Sequence, residues 1–368
     1  MHRRAVHAVR KTLASSAVAV FAVTLFGVAT PAGATTYSNT ATITINDVAA
    51  ATPYPASISV PAGGSIDDVN VTLTGITHSS PSDIDILLVG PTGKDVILMA
   101  KNGLSAISGV NLTFDDEATA TLPGYLMGNI TSGAYRPTTG APASMPAPAP
   151  AAPFGSTLSV FDGTDPGGTW KLFVDDHVLH DTGTISGGWS LNITLASLSS
   201  FAPGKGKVGD DAVLTGVGFT GATTVRFGGT LASTFTVDSD TQITATVPAG
   251  ASTGPISVTT PTFGTLTSPS EFVVVHDRKI SINLHGTKAI GDVNVTDGYT
   301  TCGQNVPVKV QHLEHGKWKT VAGVLTKADG SYKAIGLQDQ GKYRAVAKHA
   351  TVGSGNVCSR ATSPTVKH

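Results

Sequence analysis

Apolar and polar residues alternate along many short segments of this chain, and this alternation limits the folds open to it. Successive side chains of a β-strand point to opposite faces, so an apolar residue at every second position predicts a strand with one buried face. Clusters of Gly, Pro, Asp and Ser separate these segments and favour turns. The clearest alternating sets are Val69, Val71 and Leu73; Trp170, Leu172 and Val174; and Trp189, Leu191, Ile193 and Leu195.

The length and composition of the chain predict several domains built from such strands. The chain has 368 residues, including 42 glycines, and only 13% of its residues are charged. That length exceeds a single sandwich, and no long segment of the mature chain has the period of an α-helix. We therefore predict an all-β protein of three serial β-sandwich domains after a signal peptide. The predicted domains are residues 35–197, 198–275 and 276–368.

Residues 1–34 have the organisation of a secretory signal peptide. A basic segment precedes an apolar one, and the small residues at 32–34 form a cleavage pattern. An uncleaved membrane anchor is the alternative, but the apolar stretch is short and polar residues interrupt it. We predict a secreted, extracellular protein with no membrane span after cleavage. The basic residues are Arg3, Arg4, Arg10 and Lys11, and the apolar segment runs from Leu13 to Ala29.

The chain has two cysteines, Cys302 and Cys358, and both lie in the last predicted domain. In an exported protein, an isolated pair of cysteines in one domain is most simply a disulfide. A free or metal-binding pair is the weaker interpretation, because no CxxC or nearby Cys/His spacing supports it. We therefore predict one disulfide.

Charge is distributed unevenly along the mature chain. Residues 35–197 hold 4 basic and 14 acidic residues, whereas residues 276–368 hold 13 basic and 6 acidic ones. The two regions therefore present different surfaces to partners. The basic last region could favour anionic polymers such as wall polyanions or nucleic acid. Its lysines are interspersed with predicted strands, however, a pattern typical of solvated faces, and we predict no nucleic-acid partner.

Residues from about 50 to 195 contain several ordered motifs of a known module. The motifs are Asp83–Gly93, Leu158–Gly163, Gly168–Asp176 and Gly187–Ile193, each predicted to contain a strand. They resemble the P domain, also called Homo B, of proprotein convertases and bacterial subtilases. The resemblance implies a β-sandwich that packs on a subtilase catalytic domain and supports its folding. Within this region the Pro/Ala-rich segment 140–153 predicts an extended, solvated loop.

No catalytic motif accompanies this region. A subtilase needs Asp, His and Ser in separate motifs, with the Ser at a Gly-Thr-Ser-Met-Ala-like helix start, and no such string occurs. The chain also lacks an HExxH motif and a P-loop. We therefore predict a non-catalytic protein, with serine-type endopeptidase activity as the alternative that the resemblance implies.

The two later domains resemble other exported β-modules. Val208–Phe219 and Ser239–Gly250 are similar to segments of the immunoglobulin-like IPT/TIG fold. The segments Lys317–Val321, Asp329–Tyr332 and Gly341–Ala345 resemble those of Ig-like or prealbumin-like modules of exported proteins. Such folds host many functions, so the resemblance predicts the fold alone.

An acidic set in the first domain is the strongest candidate for a binding site. Asp83 and Asp85 are two residues apart and project from one face if their strand is regular. Calcium takes about six to eight oxygen ligands, and loops rich in Asp and Gly supply them, so the set predicts a calcium site. The alternative is that these aspartates cap turn amides. The candidate ligands are Asp83, Asp85, Asp115, Asp116 and Asp162.

Together these features predict an exported, non-catalytic binding or adhesion protein, or a protease accessory. Its expected partner is an extracellular macromolecule, either a secreted protease or a cell-surface polymer. Within this prediction the sequence leaves the identity of the ligand and the oligomeric state open.

Overall fold

The computed structural model describes residues 33–138, 144–337 and 340–368, and these form an all-β protein. Most of the predicted signal peptide, residues 1–32, lies outside the described residues. In the described part, no helix is long and apolar enough to cross a membrane. The prediction of an all-β chain of serial sandwiches is confirmed. The short 3-10 helices are Pro81–Asp83, Leu158–Phe161 and Thr300–Cys302.

The first sandwich packs two sheets around one core. Its strands are β1 Thr35–Asn39, β2 Ile43–Ile45, β3 Ala56–Val60, β4 Ile66–His78, β5 Ile84–Val89, β6 Asp95–Ala100, β7 Ile107–Phe114, β8 Gly133–Tyr135, β9 Gly168–Asp176, β10 Gly183–Ile185 and β11 Trp189–Leu195. One sheet has the order β1-β11-β4-β10-β2, with β7 beside β4 and β8 beside β7. The other sheet has the order β3-β9-β5-β6.

The predicted alternation places two tryptophans in the core of the first sandwich. Trp170 in β9 and Trp189 in β11 are buried, as are the apolar residues at every second position beside them. The indole Nε1 of Trp170 donates to the carbonyl of Pro166 at 2.9 Å. The Trp170 ring also meets that of Phe161 edge to face, with centroids 4.7 Å apart. Because its N–H is satisfied, this indole is buried without losing a hydrogen bond.

The segment Leu158–Gly163 was predicted as a strand, but the structure has a 3-10 helix at Leu158–Phe161. Both carboxylate oxygens of Asp116 accept backbone N–H groups at its start, from Leu158 at 3.0 Å and from Ser159 at 2.8 Å. The ring of Phe161 then enters the core. A side chain distant in sequence thus holds this turn, and the short alternating string does not reveal that.

Most of the described residues of the Pro/Ala-rich segment are exposed, as its composition predicts, but the segment also packs on the first sandwich. Its described residues, 144–153, contribute to an apolar cluster on the outer face of the sheet β3-β9-β5-β6. Met145 is buried in this cluster, and the hydroxyl of Tyr54 donates to the carbonyl of Pro146 at 2.8 Å. Strand β5 is buried on both faces, and this segment covers the second face. The buried members of the cluster are Leu87, Val89, Ile97, Ala100, Met145 and Phe173.

The second sandwich follows directly and has its own core. Its strands are β12 Ser197–Ala202, β13 Lys205–Gly206, β14 Asp211–Val217, β15 Thr224–Phe227, β16 Thr230–Leu231, β17 Phe235–Ser239, β18 Gln242–Thr246, β19 Gly254–Thr260 and β20 Gly264–His276. The two sheets have the orders β12-β14-β18-β17 and β16-β15-β19-β20, with β13 beside β20. Phe219, Phe227 and Phe272 are buried between them.

The third sandwich is joined to the second by a shared sheet. Its strands are β21 Arg278–Ile280, β22 Asn283–His285, β23 Lys288–Val295, β24 Pro307–Glu314, β25 Lys317–Leu325, β26 Ser331–Ile335, β27 Lys342–Ala347, β28 Ala350–Val352, β29 Asn356–Cys358, β30 Ala361–Thr362 and β31 Val366–Lys367. One sheet is β21-β23-β22 with β26 beside β23, and the other is β25-β24-β27-β30 with β31 beside β27. Strand β29 pairs in parallel with β20. The predicted disulfide is present between Cys302 and Cys358, whose Cα atoms are 5.5 Å apart.

Candidate functional site

One end of the first sandwich gathers loops from both sheets. Strand β2 ends at Ile45 and β4 ends at His78, and both residues pair with Gly183 at the start of β10. In the facing sheet, Ile84 at the start of β5 pairs with Asp176 at the end of β9. The loops at these strand ends therefore lie side by side.

The segment 121–128 joins these loops. Bridges connect Asn102 to Gly124 and Gly103 to Tyr125, so the middle of this segment lies beside the turn that follows β6. We call the whole set the loop end. It comprises residues 46–50, 79–83, 101–106, 121–128 and 177–182.

All the large apolar side chains that are exposed in the described residues of the first sandwich lie in the loop end. Met127 protrudes furthest, with 82% of its surface exposed. Exposed apolar residues that cluster, instead of scattering singly, mark interaction surfaces. The exposed residues are Val48, Leu104, Tyr125, Leu126, Met127, Val178 and Leu179.

Hydrogen bonds hold the backbone beneath the tip of the loop end, Tyr125–Met127. The carbonyl of Pro123 accepts from Nδ2 of the buried Asn102 at 3.1 Å and from the N–H of Gly103 at 3.0 Å. The N–H of Leu126 donates to the carbonyl of Gly103 at 3.0 Å. Gly103 has a φ of 94°, a conformation that favours glycine. The tip therefore presents its apolar side chains on an ordered backbone, which reduces the entropy lost on binding.

A buried histidine–aspartate pair anchors two of the loops. Asp176 Oδ2 lies 3.1 Å from Nε2 of His78, and Asp176 Oδ1 accepts the N–H of Val178 at 2.9 Å. Nδ1 of His78 lies 2.9 Å from the carbonyl oxygen of Ser80. Burial raises the pKa of the Asp176 carboxyl. Both ring nitrogens of His78 and both carboxylate oxygens of Asp176 are engaged. The pair therefore connects the loop after β4 to the loop after β9.

The first two candidate ligands, Asp83 and Asp85, lie at or beside the loop end. Asp83 ends a 3-10 helix, and its Oδ1 accepts a hydrogen bond from the hydroxyl of Ser82 at 3.1 Å. Asp85 lies in β5, opposite Asp175 of β9. The condition for Asp83 and Asp85 to project from one face, a regular strand over both residues, is not met, because β5 begins only at Ile84.

Asp85 and Asp175 form a buried carboxylate pair. The Oδ1 atom of each is buried and has no hydrogen-bond partner in the part of the chain that the structure describes. Oδ2 of Asp85 lies 3.3 Å from Nδ1 of His177. Burial, reinforced by Asp175 and opposed by His177 and Lys101, raises the pKa of Asp85 to about 6, and burial also raises that of Asp175. Two such carboxyls hold a proton more readily than isolated ones.

The other three candidate ligands lie at the opposite end of the first sandwich. Asp115 and Asp162 line a cleft of about 920 Å³ together with Asp240 of the second sandwich. Asp116 already accepts two backbone N–H groups, as the alternative of turn capping predicts. The five candidates therefore fall into two separate groups. Among the described residues, no three His, Cys, Asp or Glu side chains are placed to hold a metal ion together, and calcium binding stays a prediction.

Repulsion among the carboxylates at the cleft makes the stability of the folded protein depend on pH. Burial, with Asp67, Asp68, Asp116 and Glu117 adding to it, raises the pKa of Asp162 to about 7. A carboxyl whose pKa is higher in the folded than in the unfolded state favours folding while protonated, so stability falls as pH rises from about 4 to about 7.

We therefore expect Asp162→Asn to raise the Tm at pH 8 by about 2–4 °C, equivalent to about 1 kcal/mol after solvent screening, and to have little effect at pH 4.5. Calorimetry of the mature protein at both pH values measures this. The control is Asp165→Asn, because backbone N–H groups of Gly167 and Gly63 lower the pKa of Asp165. A Tm at pH 8 that Asp162→Asn leaves unchanged or lowers would contradict the expectation.

A second buried histidine lies where β20 meets β29. Nδ1 of His276 lies 3.0 Å from Oδ2 of Asp297, and its Nε2 lies 3.1 Å from Oδ1 of Asn356. Neither this ring nor that of His78 contacts a serine hydroxyl within the described residues. Neither histidine therefore has the geometry of a Ser-His-Asp triad.

The second sandwich is the part of the chain with a matching family. Residues 196–274 match the model of the IPT/TIG domain. The second sandwich is an IPT/TIG domain. Asp240 of the acidic cleft belongs to it, so the cleft lies between the first sandwich and the IPT/TIG domain. No curated protein matches the sequence of the whole chain.

Several solved structures show a remote likeness. Murine CEACAM1b is 13% identical, with a TM-score of 0.26, over 47% of this chain and 98% of its own. A serine protease of Aeromonas sobria is 16% identical, with a TM-score of 0.22, over 44% of this chain and 26% of its own. SGBP-B of the Bacteroides ovatus mixed-linkage glucan utilization locus, in complex with a mixed-linkage heptasaccharide, is 13% identical, with a TM-score of 0.19, over 55% of each chain. This chain thus spans only part of the last two proteins.

Proposed function

We propose that this protein is an exported, non-catalytic binding protein whose loop end contacts an extracellular macromolecule. The observation that carries the proposal is the gathering of every exposed large apolar residue of the described first sandwich at one end. Covering such side chains with a partner contributes roughly 25 cal/mol per Å² of apolar surface. The disulfide Cys302–Cys358 is typical of an oxidising compartment and supports export.

The groups beneath the loop end support binding better than bond cleavage. A nucleophile needs an accessible base within hydrogen-bond reach, but His78 is only 1% exposed and its ring nitrogens are occupied. The hydroxyl of Ser79 donates to Asp181 instead of to an imidazole. We therefore assign these polar groups to holding the loops in place.

A secreted subtilase is the partner that we favour. The first sandwich carries the ordered motifs that resemble the P domain, a module that packs on subtilase catalytic domains. An apolar, ordered tip is also suited to a protein surface with an apolar pocket, because side chains such as Tyr and Met act as anchors there. The protein would then serve as a protease accessory that acts on a separate chain.

The test is photo-crosslinking in the secreting cell. A photoreactive amino acid replaces Met127 at the tip, and in a matched control it replaces Thr92, which is exposed in the hairpin between β5 and β6 at the opposite end. We expect an adduct from position 127 and none from position 92. Mass spectrometry of the adduct identifies the partner, and a subtilase peptide supports the accessory role.

The outcomes are separable. Equal adducts at both positions, or none at position 127, would overturn the loop-end proposal. An adduct with a polysaccharide or other wall polymer would retain a binding function but overturn the protease-accessory role. With a subtilase identified, we expect Tyr125→Ser combined with Met127→Ser to weaken its binding at least roughly tenfold. Inhibitor-sensitive cleavage of casein by the purified protein would overturn the non-catalytic assignment.

A further inference from the structure

A basic depression lies on the third sandwich. It has a volume of about 310 Å³, and no acidic residue among those that the structure describes lines it. The lysine–carboxylate bridges among the described residues join Lys207 to Asp277 and Lys319 to Glu314, and neither involves this depression. Its basic groups are therefore available to a ligand. The lining residues are Lys309, Gln311, Val346, Lys348, His349 and Arg360.

The pairing of β27 with β30 brings two of these cations to the same edge of the sheet. Ala347 of β27 pairs with Ala361 of β30 in an antiparallel register. Lys348 and Arg360 each follow one step beyond that pair, just outside the two strands, and both line the depression. Like charges on neighbouring segments repel each other, and an anion bound between them offsets that repulsion. The arrangement thus favours a bound anion.

The backbone beneath these two cations is held in place. Nη2 of the buried Arg278 donates to the carbonyls of Lys348 and Cys358, and its Nε donates to the carbonyl of Ser359 at 2.7 Å. The disulfide holds Cys358 from the other side. Movement of the backbone that carries Lys348 and Arg360 is therefore restricted.

A third donor is oriented beside them. Nε of Arg344 donates to Oε1 of Gln311 at 2.8 Å, which leaves the amide NH₂ of Gln311 without a hydrogen-bond partner in the described residues. The guanidinium of Arg344 also lies over the ring of Trp318, 4.2 Å from its centroid. The guanidinium covers one face of this neighbouring indole, which leaves less of the ring open to stacking by bases.

We propose that the basic depression binds phosphate groups of an anionic polymer that carries no bases, such as a poly(glycerol phosphate). A phosphodiester has one negative charge and several acceptor oxygens, which suit a guanidinium, ammonium groups and an amide donor. The polymer binds at the third sandwich, whereas the partner of the loop end binds at the first. The two interactions involve different residues, so either can fail alone.

The experiment measures binding of synthetic poly(glycerol phosphate) to the mature chain by titration calorimetry at several salt concentrations. The test variant is Lys348→Gln with Arg360→Gln. The matched control is Lys279→Gln with Lys288→Gln, which removes the same charge from exposed positions of the other sheet of this sandwich. A double-stranded DNA with the same number of phosphates is the second probe.

We expect the test variant to lose at least about tenfold in affinity and to reduce the salt slope of log K by about 1–2, because two phosphate contacts are removed. The control should stay within about twofold of the native protein, and the Tm of the test variant should not fall. Equal losses in both variants, or none in either, would overturn the proposal. DNA binding as tight as that of the polymer would overturn the preference for a polymer without bases.

Discussion

Replacing Cys302 and Cys358 together with alanine should lower the free energy of unfolding of the third sandwich by about 4 kcal/mol. The two cysteines are 56 residues apart, so the disulfide removes much of the loop-closure entropy of the unfolded chain. It also connects a 3-10 helix to β29, the strand that pairs with β20 of the IPT/TIG domain. For a domain of this size the loss corresponds to a fall in Tm of roughly 15–30 °C.

Differential scanning calorimetry of the mature protein measures this fall, and the three sandwiches allow separate transitions to be observed. A thiol reductant provides the control, because it should destabilise the native protein to the same extent and leave the alanine variant unaffected. A native Tm that changes by less than about 3 °C on reduction would contradict the prediction. So would mass spectrometry that finds two free thiols in the secreted protein.

Strand positions could be predicted from the sequence wherever apolar residues alternate with polar ones. Trp170 and Trp189 lie in predicted strands and are buried on the predicted faces. The pattern failed where a distant side chain holds the local structure, as at Leu158–Phe161, whose start is capped by Asp116. Composition predicted the exposure of the Pro/Ala-rich segment but not its packing, because composition does not reveal that the outer face of β5 is apolar and needs cover.

The surface sites were harder to predict from the sequence than the strands. The apolar tip Tyr125–Met127 lies between glycines and lacks any period, so its exposure follows from bridges to the turn after β6 and not from a pattern in its own residues. The basic depression combines Lys309, Lys348 and Arg360, which only the pairing of β24, β27 and β30 brings together. Side-chain identity indicated acidic and basic regions, but strand register decided which charges meet.

Arg278 is the second site, after the disulfide, at which a substitution should have a large effect. It is 6% exposed, and its guanidinium donates to the carbonyls of Cys302, Lys348, Cys358 and Ser359. Burial lowers its pKa, yet arginine keeps its charge in proteins. Arg278→Met leaves these carbonyls without their donor and should destabilise the protein by about 3–5 kcal/mol. Arg278→Lys should recover less than half of that loss, since an ammonium group cannot reproduce the planar fork.

Urea unfolding of the mature protein tests this, with Lys279→Met as the control because the neighbouring Lys279 is exposed. Arg278 and the disulfide hold the same segments, so their effects should not add. Combining Arg278→Met with the two cysteine replacements should lower the free energy of unfolding by about 1–2 kcal/mol less than the sum of the separate losses. The reason is that each change releases segments that the other group also holds. Full additivity would mean that the arginine and the disulfide stabilise the third sandwich independently. A lysine variant as stable as the native protein would show that charge, and not the fork of donors, is what this position requires.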